Sequence, residues 1–154
     1  MSEISDLESD LSGELTAEGH SLFQRIYFED TDFSGVVYHA RYLHFLERGR
    51  SDFVRVLGVH HAALYAGEHG EPLAFAVRHM DLDFLQPARI DDIIEVRTQP
   101  AIVKGVRMIL NQSIRCQEKE LLRATVTAVL INDEGRPRRF PKTMLKQLLL
   151  DDDD

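Results

Sequence analysis

The sequence has a single cysteine, Cys116, and no tryptophan. A lone cysteine excludes an intrachain disulfide, and the adjacent His60 and His61 lack a third ligand at the spacing of a metal site. The sequence also lacks an apolar run of the roughly 18 residues that a membrane-spanning helix requires, and it lacks the basic and apolar segments of a secretory signal. These absences predict a cytoplasmic protein with no metal site and no integral membrane segment.

Positive charge is also scarce, because the chain has 18 Lys and Arg residues but 26 Asp and Glu residues, which gives a formal net charge of −8. The acids concentrate at the two ends of the chain. This balance argues against nucleic-acid binding, which needs a positive face for the phosphates. We predict flexible acidic tails over residues 1–18 and 151–154, which enclose one domain over residues 19–150.

The apolar periodicity changes twice along this domain. Residues 20–28 have the pattern of a strand, whereas apolar residues between Tyr42 and Leu57 recur at spacings of one, three and four. The second pattern predicts a helix of about 20 residues from Tyr38 to Gly58. Four strands follow, at residues 79–84, 93–98, 106–116 and 121–131. The order predicts an α+β fold in which an antiparallel sheet packs on one long helix.

The segment "EDTDFSGVVYHARYLHFLERGR", residues 29–50, places two aspartates, a glycine and a histidine in front of this helix. Together with "PARIDDIIEV" and "RPRRFPK", it resembles the YbgC-like branch of the 4-hydroxybenzoyl-CoA thioesterase family over residues 21–146. The resemblance implies the hotdog fold, a curved antiparallel sheet wrapped around one long central helix. It also implies homodimers that pair into homotetramers, and hydrolysis of acyl-CoA thioesters without a cofactor.

The resemblance also assigns catalytic residues. Asp32 matches the catalytic carboxylate, which acts either as a nucleophile through a mixed anhydride or as a general base on water, and both routes stay open. The oxyanion hole maps to the backbone of His39, where the first N–H groups of a helix have no intrahelical partner. Gly35 allows a tight bend and a close approach of the backbone to the substrate. The His39 imidazole is a further candidate, to orient the carboxylate, the water or the leaving thiolate.

Substrate-binding residues are predicted at two places. If the family geometry holds, Val36, Val37 and Tyr38 line the acyl pocket. Lys104 and Arg107 flank Gly105 between two predicted strands, where basic side chains can bind the phosphates of coenzyme A. The alternative for both basic residues is a solvated charge at a turn.

Two other acids compete with Asp32. Asp30 lies close to the predicted helix, where an aspartate often serves as a cap or turn residue. Glu47 lies on the helix, where a different hotdog branch carries its catalytic carboxylate. Because Arg50 follows Glu47 by three residues and falls within the apolar face, we predict an ion pair between the two.

Two other functions remain open at this point. A hotdog hydratase or dehydratase also uses an acid and a histidine, and a non-catalytic protein could bind acyl-CoA or an acyl carrier, or serve as a scaffold. Neither the acyl chain nor the choice between coenzyme A and acyl carrier protein can be read from one sequence.

Overall fold

The computed structural model describes residues 2–149 of the 154-residue chain. The helices are α1 (Ser2–Leu11), α2 (Arg41–Val56), α3 (His61–Tyr65) and α4 (Lys142–Leu149), and a 3₁₀ turn covers Phe28–Asp30. The strands are β1 (Glu14–Leu15), β2 (His20–Arg25), β3 (Leu73–Phe84), β4 (Ile93–Lys104), β5 (Arg107–Cys116) and β6 (Lys119–Asn132). Within residues 2–149 the strands form one antiparallel sheet in the order β1-β2-β4-β5-β6-β3. The predicted α+β plan is therefore confirmed.

Helix α2 follows the predicted apolar stripe, with Tyr42, Leu46 and Phe53 buried against the sheet. It is shorter than the predicted helix at both ends. Residues before Arg41 form a turn, and Gly58 has a φ of +100°, a left-handed conformation that ends a helix at low cost for glycine.

Gly49 lies where α2 crosses the sheet. A Cβ atom at this position would come within 2.5 Å of Val96 Cγ1. The absence of a side chain therefore lets the helix backbone approach β4 closely.

The predicted strands are confirmed, with three corrected boundaries. Strand β4 runs to Lys104, six residues beyond the predicted end at residue 98, because this stretch continues to pair with β5. Strand β3 begins at Leu73, six residues before the alternating pattern, because the apolar run from Leu73 to Val77 also pairs with β6. Strand β2 ends at Arg25, because the chain turns into the 3₁₀ helix at Phe28–Asp30. In β6 the predicted buried face is confirmed for Leu122, Ala124, Val126, Ala128 and Leu130.

Two groups of buried side chains lie along α2. One surrounds the first half of the helix and includes Ile26, Val37, Tyr42 and Leu46. The other surrounds its second half and is closed by α4, which buries Met144 and Leu148. No helix in residues 2–149 is both long and apolar enough to cross a membrane.

The segment that the sequence predicts as a flexible N-terminal tail has secondary structure. Strand β1 pairs with β2, and the Gly13 N–H donates to Asp52 Oδ2 over 2.8 Å. The same oxygen lies 2.7 Å from His20 Nε2, and Arg55 Nη2 donates to Glu8 Oε1 over 2.8 Å. These partners are distant in sequence, so composition alone could not reveal them. The flexibility of residues 1–18 stays a prediction, and the predicted tail at residues 151–154 lies outside the described residues.

Candidate active site

The loop before α2 is a tight, hydrogen-bonded turn around Asp32. The Asp32 N–H donates to the Val36 carbonyl over 3.0 Å, and the Gly35 N–H donates back to the Asp32 carbonyl over 3.1 Å. Gly35 has a φ of +86°, which residues with a Cβ rarely adopt. Below the turn, the Tyr38 N–H donates to the Asp30 carbonyl over 3.0 Å. The tight bend predicted for Gly35 is thus confirmed.

The far side of the loop is anchored in the core. Val37 is buried, and its N–H donates to the Ala88 carbonyl over 2.9 Å. The Ala88 N–H in turn donates to the Tyr42 hydroxyl over 2.9 Å. The loop is therefore fixed to both the first half of α2 and the segment between β3 and β4.

Asp30 holds the loop to the helix. Its side chain is buried, with Oδ1 accepting from Arg41 Nε over 2.7 Å and Oδ2 accepting from the Tyr27 N–H over 2.8 Å. Asp30 in return raises the pKa of the Arg41 guanidinium. Both carboxylate oxygens of Asp30 are engaged, which favours a structural role and leaves Asp32 as the more available acid.

Asp32 is partly exposed, and one of its carboxylate oxygens accepts two hydrogen bonds from Ser34. Its Oδ1 accepts the Ser34 N–H over 2.8 Å and also the Ser34 hydroxyl. These hydrogen bonds, led by the one from the hydroxyl, lower the pKa of Asp32, so the carboxylate is ionised at neutral pH. The sequence interpretation missed Ser34, although an acid two residues before a serine is a common turn pattern.

A backbone N–H with no acceptor in the described residues, that of His39, lies next to this loop. The structure begins α2 at Arg41, so the predicted start near Tyr38 and His39 is wrong by about one turn. The His39 N–H nevertheless has no acceptor within residues 2–149, because His39 precedes the first hydrogen bonds of α2. The His39 ring is exposed and packs on the Tyr38 ring, with centroids 4.5 Å apart.

Glu47 is engaged elsewhere, as predicted. Arg50 is 8% exposed and donates from Nη2 to Glu47 Oε2, and its Nη1 donates to Gln112 Oε1 over 3.0 Å. Burial lowers the pKa of Arg50, and the Glu47 carboxylate opposes that shift. The ion pair between Glu47 and Arg50 is confirmed.

The predicted substrate-binding residues separate into two regions. Val36 is half-buried and Tyr38 is exposed, both beside Asp32, whereas Val37 belongs to the core. Lys104 and Arg107 are exposed and lie opposite each other in the strand register, at the β4–β5 turn. A strand rises about 3.3 Å per residue, so this turn lies roughly 36 Å along β4 from the end that adjoins the Asp32 loop. One chain therefore does not bring the two regions together.

Comparisons with known proteins identify the family of this chain. The model of the thioesterase-like superfamily matches residues 26–148. An acyl-CoA thioesterase YbgC of Haemophilus influenzae is 38% identical over 125 residues, which cover 80% of this chain and 90% of that protein. A crystal structure of a probable thioesterase from Bartonella henselae is 48% identical, with a TM-score of 0.78 over 80% of this chain and 99% of that one.

The fold is also that of 4-hydroxybenzoyl-CoA thioesterase from a Pseudomonas strain. That structure gives a TM-score of 0.78 over 85% of this chain and 99% of its own, at 18% identity. At this identity the likeness concerns the fold alone, which is the curved sheet around a central helix. The chain belongs to the thioesterase-like superfamily, has its hotdog fold and is a thioester hydrolase.

Proposed function

We propose that the protein hydrolyses acyl-CoA thioesters, with Asp32 as the reactive carboxylate and the His39 N–H as a donor to the oxyanion. The observation that carries the proposal is an ionised carboxylate on a tight loop, followed two residues before α2 by a backbone N–H that has no acceptor in the described part of the chain. The relatives that are named acyl-CoA thioesterases support this choice of substrate class.

The reaction adds water across the acyl–sulfur bond and releases a carboxylic acid and a thiol. In one route, Asp32 attacks the carbonyl carbon, the thiolate leaves and takes a proton, and water then hydrolyses the mixed anhydride. In the other route, Asp32 accepts a proton from a water molecule as that water attacks the same carbon. Negative charge develops on the carbonyl oxygen in both routes, where the backbone donor at His39 stabilises it.

We further propose that the site is completed in a homodimer. Strand β3 is a 12-residue edge strand, and its outer backbone groups have no strand partner in the part of the chain that the structure describes. Such an edge is a template for pairing with a second copy. The end of β3 is close to the site, because the Phe84 ring lies 5.8 Å from that of Tyr42, whose hydroxyl bonds Ala88 beside the loop.

Exposure at the loop supports the same assembly. Phe28 and Phe33, on either side of Asp32 in the sequence, are exposed, and Asp32 itself is partly exposed to water in an isolated chain. A second copy would cover these rings and bring its own side chains to the coenzyme, including Lys104 and Arg107. Light scattering should give about 35 kDa, twice the 17.6 kDa chain, or about 70 kDa if dimers pair into the proposed homotetramer.

The test is a thiol-release assay on acyl-CoA and acyl carrier protein thioesters of graded chain length, and on aromatic acyl-CoAs. Wild type, Asp32→Asn, Asp30→Asn and Glu47→Gln are compared after their fold has been checked by circular dichroism. We expect Asp32→Asn to lose at least about 10³-fold in kcat, because it removes the base or nucleophile. Glu47→Gln should retain activity within about tenfold.

Four results would contradict the proposal. Full activity of Asp32→Asn would remove Asp32 from the chemistry, and a selective loss in Glu47→Gln would move the chemistry to the helix. Binding of acyl-CoA without release of thiol by wild type, while a reference thioesterase cleaves the same panel, would favour the non-catalytic alternative. Addition of water to enoyl-CoA with the thioester left intact would favour a hydratase.

A further inference from the structure

We propose that Ser34 is a positioning residue for the reaction, which holds one oxygen of the Asp32 carboxylate and leaves the other to react. The inference rests on the proposed role of Asp32. It assigns a task to a side chain that neither the sequence motif nor the glycine bend explains.

The geometry makes the two oxygens of Asp32 different. Oδ1 receives both donors of Ser34, the backbone N–H over 2.8 Å and the hydroxyl, whereas Oδ2 accepts no hydrogen bond within residues 2–149. The Asp32 backbone is also tied on both sides, through its N–H to Val36 and its carbonyl to Gly35. Because the backbone and one oxygen are both held, the carboxylate keeps a single orientation.

The chemical consequence concerns the choice of oxygen. Two donors on Oδ1 draw its charge into hydrogen bonds, so its lone pairs are less available. Oδ2 keeps free lone pairs and is the oxygen that attacks the carbonyl carbon or accepts the proton of water. The same donors lower the pKa of Asp32, which keeps the carboxylate ionised under mildly acidic conditions.

The backbone N–H alone would suffice for a turn, so the hydroxyl is the group to remove. Ser34→Ala keeps the N–H donor and deletes the hydroxyl, while Ser34→Thr retains both. Thr31→Val is the matched control, because the Thr31 hydroxyl lies in the same loop, is exposed and donates to the Phe28 carbonyl rather than to Asp32.

The first measurement is the titration of the Asp32 carboxyl carbon by NMR, which needs no substrate. We expect the titration midpoint to lie at higher pH in Ser34→Ala than in wild type and Ser34→Thr. The second measurement is kcat and KM between pH 4 and pH 8. In Ser34→Ala we expect kcat to fall about threefold to tenfold at pH 8, with KM within about twofold, because the carboxylate is no longer held in one orientation.

Unchanged titration and kcat in Ser34→Ala, with an inactive Asp32→Asn, would overturn the inference and leave the proposed function intact. If Thr31→Val changed the titration and kcat as much as Ser34→Ala does, the inference would also be overturned, because the Ser34 hydroxyl would then act only through the loop as a whole. Full activity of Asp32→Asn would refute the proposed function, and the role of Ser34 with it. Restoration by Ser34→Thr of what Ser34→Ala loses would support the inference.

Discussion

Replacing Gly49 by alanine should destabilise the protein, although alanine is the better helix former. In an exposed helix this change would stabilise by about 1 kcal/mol. Here the new Cβ would lie 2.5 Å from Val96 Cγ1, 3.2 Å from Thr98 Oγ1 and 3.3 Å from Gln112 Nε2. All three neighbours are buried, so α2 or β4 must shift.

Overpacking of a core costs about 1–3 kcal/mol, and contacts on three sides favour the upper end. After the gain in helix propensity is subtracted, we expect the free energy of unfolding to fall by about 2 kcal/mol. Urea unfolding followed by circular dichroism would show this as a midpoint lowered by about 1 M.

A double-mutant cycle identifies the cause. Val96→Ala removes the methyl group that the new Cβ would meet. In the Val96→Ala protein, Gly49→Ala should therefore lower the free energy of unfolding by at least about 1 kcal/mol less than it does in wild type. A Gly49→Ala variant as stable as wild type, or more stable, would refute the close approach of α2 to β4.

Two further predictions concern polar contacts. Gln112→Leu should destabilise by about 3 kcal/mol in urea unfolding, because the buried Arg50, the Leu46 carbonyl and Thr98 each lose a partner. Asn111→Leu on the exposed face of β5 should change stability by less than about 0.5 kcal/mol, and equal effects of the two would contradict the buried network. The Glu8–Arg55 contact should hold α1 at neutral pH, because Arg55 lowers the pKa of Glu8. Its contribution is present above the unfolded pKa of about 4.3 and is lost as pH falls through the lower folded value. Hydrogen exchange in α1, corrected for intrinsic rates, should therefore rise in acid in wild type but not in Arg55→Gln, and an identical response of both would contradict it.

Much of the architecture could be predicted because single faces of its elements are buried. The apolar stripe of α2 and the alternation in β6 each reflect contact with one layer, and such contact leaves a period in the sequence. The first half of β3 was missed because the run from Leu73 to Val77 has no alternation. The structure of the N-terminal segment was missed because its partners, Asp52 and Arg55, lie on a distant helix.

The candidate site was only partly predictable. The motif singled out Asp32 by resemblance, but only the structure shows that Asp30 is fully engaged by Arg41 and Tyr27. The role of Ser34 was also hidden, because a serine in a turn has many possible partners and the sequence does not show which one it contacts. The separation of Lys104 from Asp32 depends on strand direction, which no local pattern encodes.

The strand order has a consequence for how the chain folds. β4, β5 and β6 are joined by short connections and pair with their neighbours in sequence, so this meander can form from local contacts. By contrast, β2 and β3 flank the Asp32 loop and α2, and apart from the short local pairing of β2 with β1 they pair with strands far along the chain, as Leu73 does with Asn132. Loop-closure entropy must be overcome before such pairs form, so they join the sheet late. The loop that carries the reactive carboxylate would thus take its final geometry only after the meander exists, which couples the appearance of activity to the last steps of folding.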